Sequence, residues 1–206
     1  MSENAASKPS PRAVALYALA GALALFELAT LWAALNPTAP EAYRAYFIDK
    51  TTTCLNLPKP GTYALGSTVS FRSDGAALAR DLRVCGWEGP AGDGTHSVGE
   101  TSRLRFAVPP GLGDLRLTLE LAAVLTEGQA DQLVEVSANG VAVGRAEMND
   151  RDAHVFELVI PAAALASDPG FVNIALDFPR AIRMAPGDND TRKRAVKLLS
   201  ARLAPA

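Results

Sequence analysis

The chain is poor in the residues that most chemistry needs. Its 206 residues include two histidines, His96 and His154, and two cysteines, Cys54 and Cys85. That is no spacing for a zinc site, which takes a closed set of such ligands. No Gly-x-Ser-x-Gly elbow occurs, and neither histidine has a motif around it. A nucleophile, a base and an orienting group therefore do not come together in any legible pattern. The expectation is a protein without catalytic residues, resident metal or cofactor. An excess of charge is missing too: 20 Lys and Arg stand against 22 Asp and Glu, for a net charge of -2. Nucleic-acid binders need a basic field, so nucleic acid is not an expected partner. Beyond residue 36 there is no long helical pattern, and a parallel α/β fold needs crossover helices.

What is present begins with an apolar run, Ala13 to Leu35, broken by one ionisable residue, Glu27. A helix of roughly 20 mostly apolar residues spans the hydrocarbon core of a bilayer, and Tyr17 and Trp32 stand where interfacial aromatics sit. The competing reading is a cleaved signal peptide, with Lys8 and Arg12 as its basic region and Ala18 to Phe26 as its apolar core. Against it, the run continues past Glu27, and the best small exit residue, Ala33, has bulky Leu31 two positions before it. An uncleaved anchor is expected. Lys8, Arg12 and the amino terminus keep the short flank in the cytoplasm and place the rest outside. A carboxyl group in hydrocarbon is costly and usually faces a partner or water. Glu27, with Gly21 and Ala24 among the small residues that allow close helix approach, reads as a contact for another membrane helix. The alternative is a carboxyl that stays uncharged or reaches water at the outer interface.

The expected organisation is a disordered tail over 1–12, a transmembrane helix over 13–35, a Pro-rich linker over 36–61 and one domain over 62–206. The linker surrounds Glu41-Ala-Tyr43-Arg-Ala-Tyr46-Phe47-Ile48, which reads as one short helical or interfacial turn. After Gly61 the apolar residues alternate with polar ones, the pattern of strands with one buried face. Leu115, Leu117, Leu119 and Leu121 are the clearest case. Val69 with Phe71, Leu104 with Phe106, Val134 with Val136, Phe156 to Ile160, Val172 to Phe178 and Val196 with Leu198 repeat it. Asn139-Gly140 between apolar runs predicts a tight hairpin, because both residues tolerate positive φ. Pro161 to Leu165 predicts a brief helix. Eight or nine short strands without long helices give an all-β fold, an antiparallel β-sandwich of jelly-roll type preceded by one N-terminal transmembrane helix.

Both cysteines fall on the expected outer side of the membrane, where an oxidising compartment allows them to pair; the rival reading is two buried free thiols. Trp87, with His96 after a glycine-rich loop, makes a candidate flat platform for the apolar face of a sugar, or else a tryptophan that closes the edge of a sheet. Asp190 and Arg192 read as a ligand clamp or as an ion pair that fixes a loop. Acids cluster in Glu147-Met-Asn149-Asp150-Arg-Asp152 and in Asp188-Asn189-Asp190, and solvated loops explain them better than calcium, since EF-hand spacing is absent. Asp150 and Asp152 lie too close together on one loop to oppose each other as a glycosidase pair does.

An ordered series of residues also resembles a known domain. Tyr63-x-x-Gly66, Val69-x-Phe71, Leu82, Gly86-Trp87, Pro90, Gly94-x-x-Ser97-x-Gly99 and Leu104-x-Phe106 resemble the first half of a β-sandwich domain of uncharacterised function. Val134-x-Val136-x-x-Asn139-Gly140 and Asp190-x-Arg192 resemble its second half. That domain accompanies bacterial membrane glycosyltransferases and other cell-envelope glycan enzymes, and the match runs from about Gly61 to Ala204. The resemblance implies a single-pass protein of the bacterial inner membrane with its domain in the periplasm. It further implies an accessory subunit of surface-polysaccharide synthesis or export, touching the glycan through Trp87, His96, Asp190 and Arg192 or touching a glycosyltransferase or exporter. The family usually has Trp where this chain has His96, which weakens stacking there. No enzyme is fused to the domain here, so an enzymatic partner would act in trans. The alternative is a structural or assembly protein that binds protein partners through the sandwich and the helix.

Overall fold

The computed structural model describes residues 10–36, 39–40, 43–48, 54–55, 59–183 and 193–206. The chain divides into two compact units, Met1–Glu41 and Ala42–Ala206.

The first unit is helix α1, Pro11–Leu35, 25 residues with a mean hydropathy of 1.9 over its most apolar window and none of them buried. Its ends follow from local chemistry. The Ser10 hydroxyl accepts the Ala13 N–H at 3.3 Å, and Pro11 takes the first turn, where its missing N–H costs nothing. At the other end Asn36 donates through its backbone and its side chain to the Trp32 carbonyl. At 1.5 Å per residue the helix is about 37 Å long, enough for a core of about 30 Å. The helix starts two residues before the apolar run because capping, and not hydropathy, sets its first turn.

The second unit is a sandwich of two antiparallel five-stranded sheets. Its strands in chain order are β1 (Thr68–Ser70), β2 (Arg83–Cys85), β3 (Thr95–His96), β4 (Thr101–Ala107), β5 (Leu115–Ala123), β6 (Gln132–Ala138), β7 (Val141–Met148), β8 (Ala153–Ile160), β9 (Phe171–Asp177), β10 (Ile182–Arg183), β11 (Lys193–Arg194) and β12 (Val196–Pro205). Sheet A runs β1-β12-β5-β8, with β3 also paired to β12; sheet B runs β2-β4-β9-β6-β7; β10 and β11 make a separate ribbon. The two sheets interleave in sequence, as they must when successive strands cross between layers.

Alternation sets which face is buried. Leu115, Leu117, Leu119 and Leu121 of β5 meet Leu104 and Phe106 of β4, Val172, Ile174 and Leu176 of β9 and Val134 and Val136 of β6 in one core, nearly all without solvent contact. Each such side chain stabilises the fold by about 1.5–3 kcal/mol relative to exposure. In β12 the register shifts between Leu198 and Ser200. This bulge at Leu199 lets Leu198 and Ala201 both reach the core while Lys197 and Ser200 stay outside.

Elsewhere the local reading meets corrections. Ala76–Leu82 is a helix, α2, and the strand that ends at Cys85 has only three residues. The run Ala-Ala-Leu-Ala-Arg-Asp-Leu consists mostly of good helix formers, and Ala79 and Leu82 bury their side chains in the core. Gly86 then turns at φ 75°, where an added Cβ would sit 2.2 Å from the Thr101 carbonyl oxygen, so no other residue fits. The expected hairpin forms, with Asn139 at φ 48° and Gly140 at φ 83° joining β6 to β7. Pro161 precedes the short helix α3, Ala162–Leu165, as its cap residue. In the linker, Arg44–Ile48 form one π-helical turn, on which the Phe47 ring packs 4.6 Å from Tyr43 and 4.7 Å from Tyr46. Cys54 and Cys85 are joined in a disulfide, with Cα atoms 5.0 Å apart.

Candidate functional site

The outer face of sheet B carries a groove whose floor is a row of small side chains. The strand register places Arg103 of β4 beside Ala175 of β9, Ala175 beside Ser137 of β6, and Ser137 beside Ala142 of β7. Neighbouring rows are taller. On one side stand Arg105, Asn173 and the turn residue Asn139; on the other stand Thr101, Asp177, Glu135 and Arg145. Ala175, Ser137 and Ala142 are short, and between the two taller rows they make a trench perpendicular to the strands, with Arg103 at its β4 end.

Two adjoining depressions of about 570 and 440 Å³ occupy it, sharing Ser137 and Asp177 as lining residues. The lining reaches Val84 on the edge strand β2 and Gly144 on the edge strand β7. The groove therefore crosses the whole sheet. Four strand intervals of about 4.8 Å give it a length of about 19 Å.

The walls are held by their own hydrogen bonds. Asn139 Oδ1 accepts the Asn173 backbone N–H at 2.8 Å, and Asn173 Nδ2 donates to Asp168 Oδ2 at 2.6 Å. Thr101 Oγ1 donates to Asp177 Oδ1 at 2.7 Å. The Arg105 guanidinium lies 3.8 Å over the Phe171 ring and 3.9 Å from Asp168, an arrangement that fixes its plane. Arg103 is exposed at the β4 end of the floor row, and among the described residues its side chain has no polar partner. Three guanidinium groups, on Arg103, Arg105 and Arg145, face three carboxylates, on Glu135, Asp168 and Asp177. The groove is thus charge-balanced and offers both donors and acceptors.

The residues singled out from the sequence lie elsewhere. Trp87 and His96 are brought together through their backbones: Trp87 bridges to Ser97, and the Glu88 N–H donates to the His96 carbonyl at 2.9 Å. Their side chains have different surroundings. The Trp87 ring packs against the core and its Nε1 donates to the Arg103 carbonyl at 3.0 Å. His96 lines a separate depression on sheet A, where burial first, then Arg194 and Lys197, push its pKa below the ordinary histidine value. Asp190 and Arg192, and the acids Asp188 to Asp190, lie outside the described residues. Asp150 Oδ1 accepts the Asp152 N–H at 2.9 Å and stands 2.7 Å from His154 Nε2. The hydrogen bond from His154, then that from Asp152, lower the Asp150 pKa. No cluster of three or more metal-ligating side chains occurs among the described residues. On α1, Gly21 has open space where a Cβ would stand, and Ala24 and Glu27 are exposed.

Sequence reasoning missed the groove because its residues come from five strands and read singly as ordinary outward positions. The available signal was the small outward residues Ser137, Ala142 and Ala175, but only the register places them in one row.

No protein-family model and no curated protein matches the chain. Among solved structures it is similar to the CBM36-1 domain of a multidomain xylanase from the hindgut metagenome of Trinervitermes trinervoides, at 13% identity and TM-score 0.37, covering 66% of this chain and 94% of that one. It is similar to a carbohydrate-binding module CBM36 in complex with calcium and xylotriose, at 13% identity and TM-score 0.36, covering 72% and 94%. It is also similar to a family GH115 4-O-methyl-α-glucuronidase with specificity for decorated arabinogalactans, at 11% identity and TM-score 0.43, covering 73% of this chain and 19% of that enzyme. The β-sandwich assignment rests on the strand register of this chain itself, an all-antiparallel sandwich; among the described residues one helix is long and apolar enough to cross a membrane.

Proposed function

We propose that the protein is a membrane-anchored glycan-binding subunit that holds a linear polysaccharide in the sheet B groove. The observation that carries this reading is the groove's combination of length, edge-to-edge course and balanced charge. A sugar hydroxyl donates and accepts at once, so it is matched by a surface that carries amides, guanidinium groups and carboxylates together. A strongly charged ligand would call for one sign of charge, and the groove has three of each. A course from one sheet edge to the other suits the interior of a chain, with both ends running on past the protein.

The cellular setting is part of the same reading. Helix α1 is the anchor, the amino terminus is cytoplasmic, and the sandwich works in the periplasm of a bacterial envelope. The protein is an accessory subunit of surface-polysaccharide synthesis or export, in contact with a glycosyltransferase or exporter through Glu27, Gly21 and Ala24. Support comes from the ordered residue series described above and from a helix on which Ala20, Ala24 and the Glu27 carboxyl share a side.

The first test is affinity purification of the full-length protein from its native membrane in mild detergent, with mass spectrometry of what accompanies it. Recovery of a glycosyltransferase or exporter, lost on Glu27→Leu, supports the accessory role; recovery of an unrelated assembly removes it. Electrophoresis of the same detergent-solubilised protein through gels containing neutral or acidic polysaccharides tests the groove separately. Retardation by a neutral linear glycan is the expected result, and equal mobility in every gel would overturn the glycan reading.

A further inference from the structure

Sheet A carries a second depression with a different electrostatic character. Its volume is about 360 Å³, its apolar wall is Ala122 and Ala123 at the end of β5 with Val124 and Leu125 after it, and its charged lining is Arg151, Arg194 and Lys197 beside His96. The register explains the convergence. His96 of β3, Lys197 of β12 and Ala122 of β5 form one row across the sheet, and the small Ala122 leaves the space that the two longer side chains overlook. Arg151 Nη2 donates to the Leu125 carbonyl at 3.1 Å, which places the guanidinium over the opening with its other N–H groups to spare.

Two cations have acidic neighbours: Arg194 pairs with Glu88 at 2.5 Å, and Lys197 pairs with Asp93. Neither acid lines the depression. Among the described residues, the ionisable side chains that line it are cations and a histidine, in contrast to the balanced groove on sheet B. A second observation is independent of charge: His96 Nδ1 is buried and, among the described residues, has no hydrogen-bond partner. Buried polar atoms are nearly always paired, so the wall of this depression holds a ring with an unmet hydrogen bond. The space equals that of about a dozen waters at roughly 30 Å³ each, more than a bare ion fills.

We propose that this depression binds an oxyanion carried on a sugar-sized molecule, a uronate or a sugar phosphate, with Arg151, Arg194 and Lys197 facing the charge and His96 completing the contact. It is a site separate from the groove and does not depend on the groove's ligand. Burial, then Arg194 and Lys197, lower the His96 pKa against the opposing pull of Glu88 and Asp93. An anion in the depression reverses that balance, so occupancy raises the His96 pKa.

The test follows the two histidine side chains of the full-length protein in detergent by NMR, assigned with His154→Gln, while pH is varied with glucuronate, glucose 1-phosphate or inorganic phosphate. The expected result is an upward shift of the His96 midpoint with either sugar acid at concentrations where inorganic phosphate has less effect. Arg151→Gln should weaken that binding about tenfold or more, the loss expected for one charge-assisted hydrogen bond, and Ser137→Tyr in the groove should leave it unchanged. No shift with any of the three anions overturns the proposal. An equal shift with inorganic phosphate overturns the assignment to a sugar-borne anion, and a shift that survives Arg151→Gln places the ion elsewhere and overturns the site.

Discussion

Asn139 grips Asn173 from both sides of its own amide plane: its backbone N–H donates to the Asn173 carbonyl at 2.8 Å, and its side-chain Oδ1 accepts the Asn173 N–H at 2.8 Å. Its Nδ2 also donates to the carbonyls of Ala164 and Phe171, both at 3.1 Å. One turn residue thus ties the β6–β7 hairpin to β9 and to helix α3, and builds one wall of the groove.

Asn139→Ala should be strongly destabilising. It removes four side-chain hydrogen bonds and leaves a Cβ residue at φ 48° without the local polar contact that makes that conformation tolerable. At about 0.5–1.5 kcal/mol per bond, with about 1 kcal/mol for the backbone, the loss is about 3–7 kcal/mol. A urea titration should show the midpoint falling with the slope unchanged. Asn139→Gly, which keeps the conformation and loses only the bonds, should lie between alanine and wild type. An alanine variant as stable as wild type contradicts this account.

Asn139 also shows what the sequence made legible. Asn-Gly between apolar runs announces a hairpin, because that signal is local. The grip on Asn173, 34 residues away, depends on strand pairing and leaves no trace in composition. The same division runs through the series that resembles a known domain. Tyr63 accepts the Leu203 N–H at 2.8 Å and sets its ring edge-on to Phe106, Gly86 fits where no Cβ can, and the buried Ser97 hydroxyl accepts the Ala195 and Val196 N–H groups at 3.0 and 3.1 Å. These residues hold the fold, and spacing reveals them because each is tied to a fixed turn or strand. Helix α2 escaped notice because seven residues are too short for a periodic signal against a strand background. The groove escaped because a site written across five strands has no contiguous motif.

The disulfide between Cys54 and Cys85 joins residues 31 apart. Closing a loop of that length lowers the entropy of the unfolded chain by the equivalent of about 3–4 kcal/mol. Cys54→Ser with Cys85→Ser should lower the melting temperature by several degrees, and adding a reductant should lower wild type alone. If reductant moves both proteins equally, the bridge is not the source of the effect.

His96 gives the stability a sign with respect to pH. Its pKa in the folded protein lies below the ordinary value of about 6.5, chiefly through burial and then through Arg194 and Lys197. The unfolded chain therefore binds more protons, and stability rises with pH through this region. The contribution is fully present above about pH 6.5 and is lost as pH falls toward the folded value. Thermal unfolding from neutral to mildly acidic pH should show a falling melting temperature, and His96→Gln should flatten that fall. The carboxylates with lowered pKa, Asp74, Asp93 and Asp150, act only at lower pH, where wild type and variant should decline alike. Parallel curves for wild type and His96→Gln across the whole range would remove His96 as the cause.

The groove can be closed without touching the core. Ser137 sits at the centre of the floor row, half-buried and outward-facing, between Ala175 and Ala142. Ser137→Tyr would raise a ring from that row and fill the space shared by the two depressions, while tyrosine suits a strand at least as well as serine. Binding of a linear glycan should fall tenfold or more, with the melting temperature held within a few degrees. Arg103→Ala should weaken the same binding less, since it removes one donor and leaves the trench open. The pair separates shape from charge. If Ser137→Tyr binds as wild type does, the glycan lies off this face, and Trp87 becomes the residue to change next.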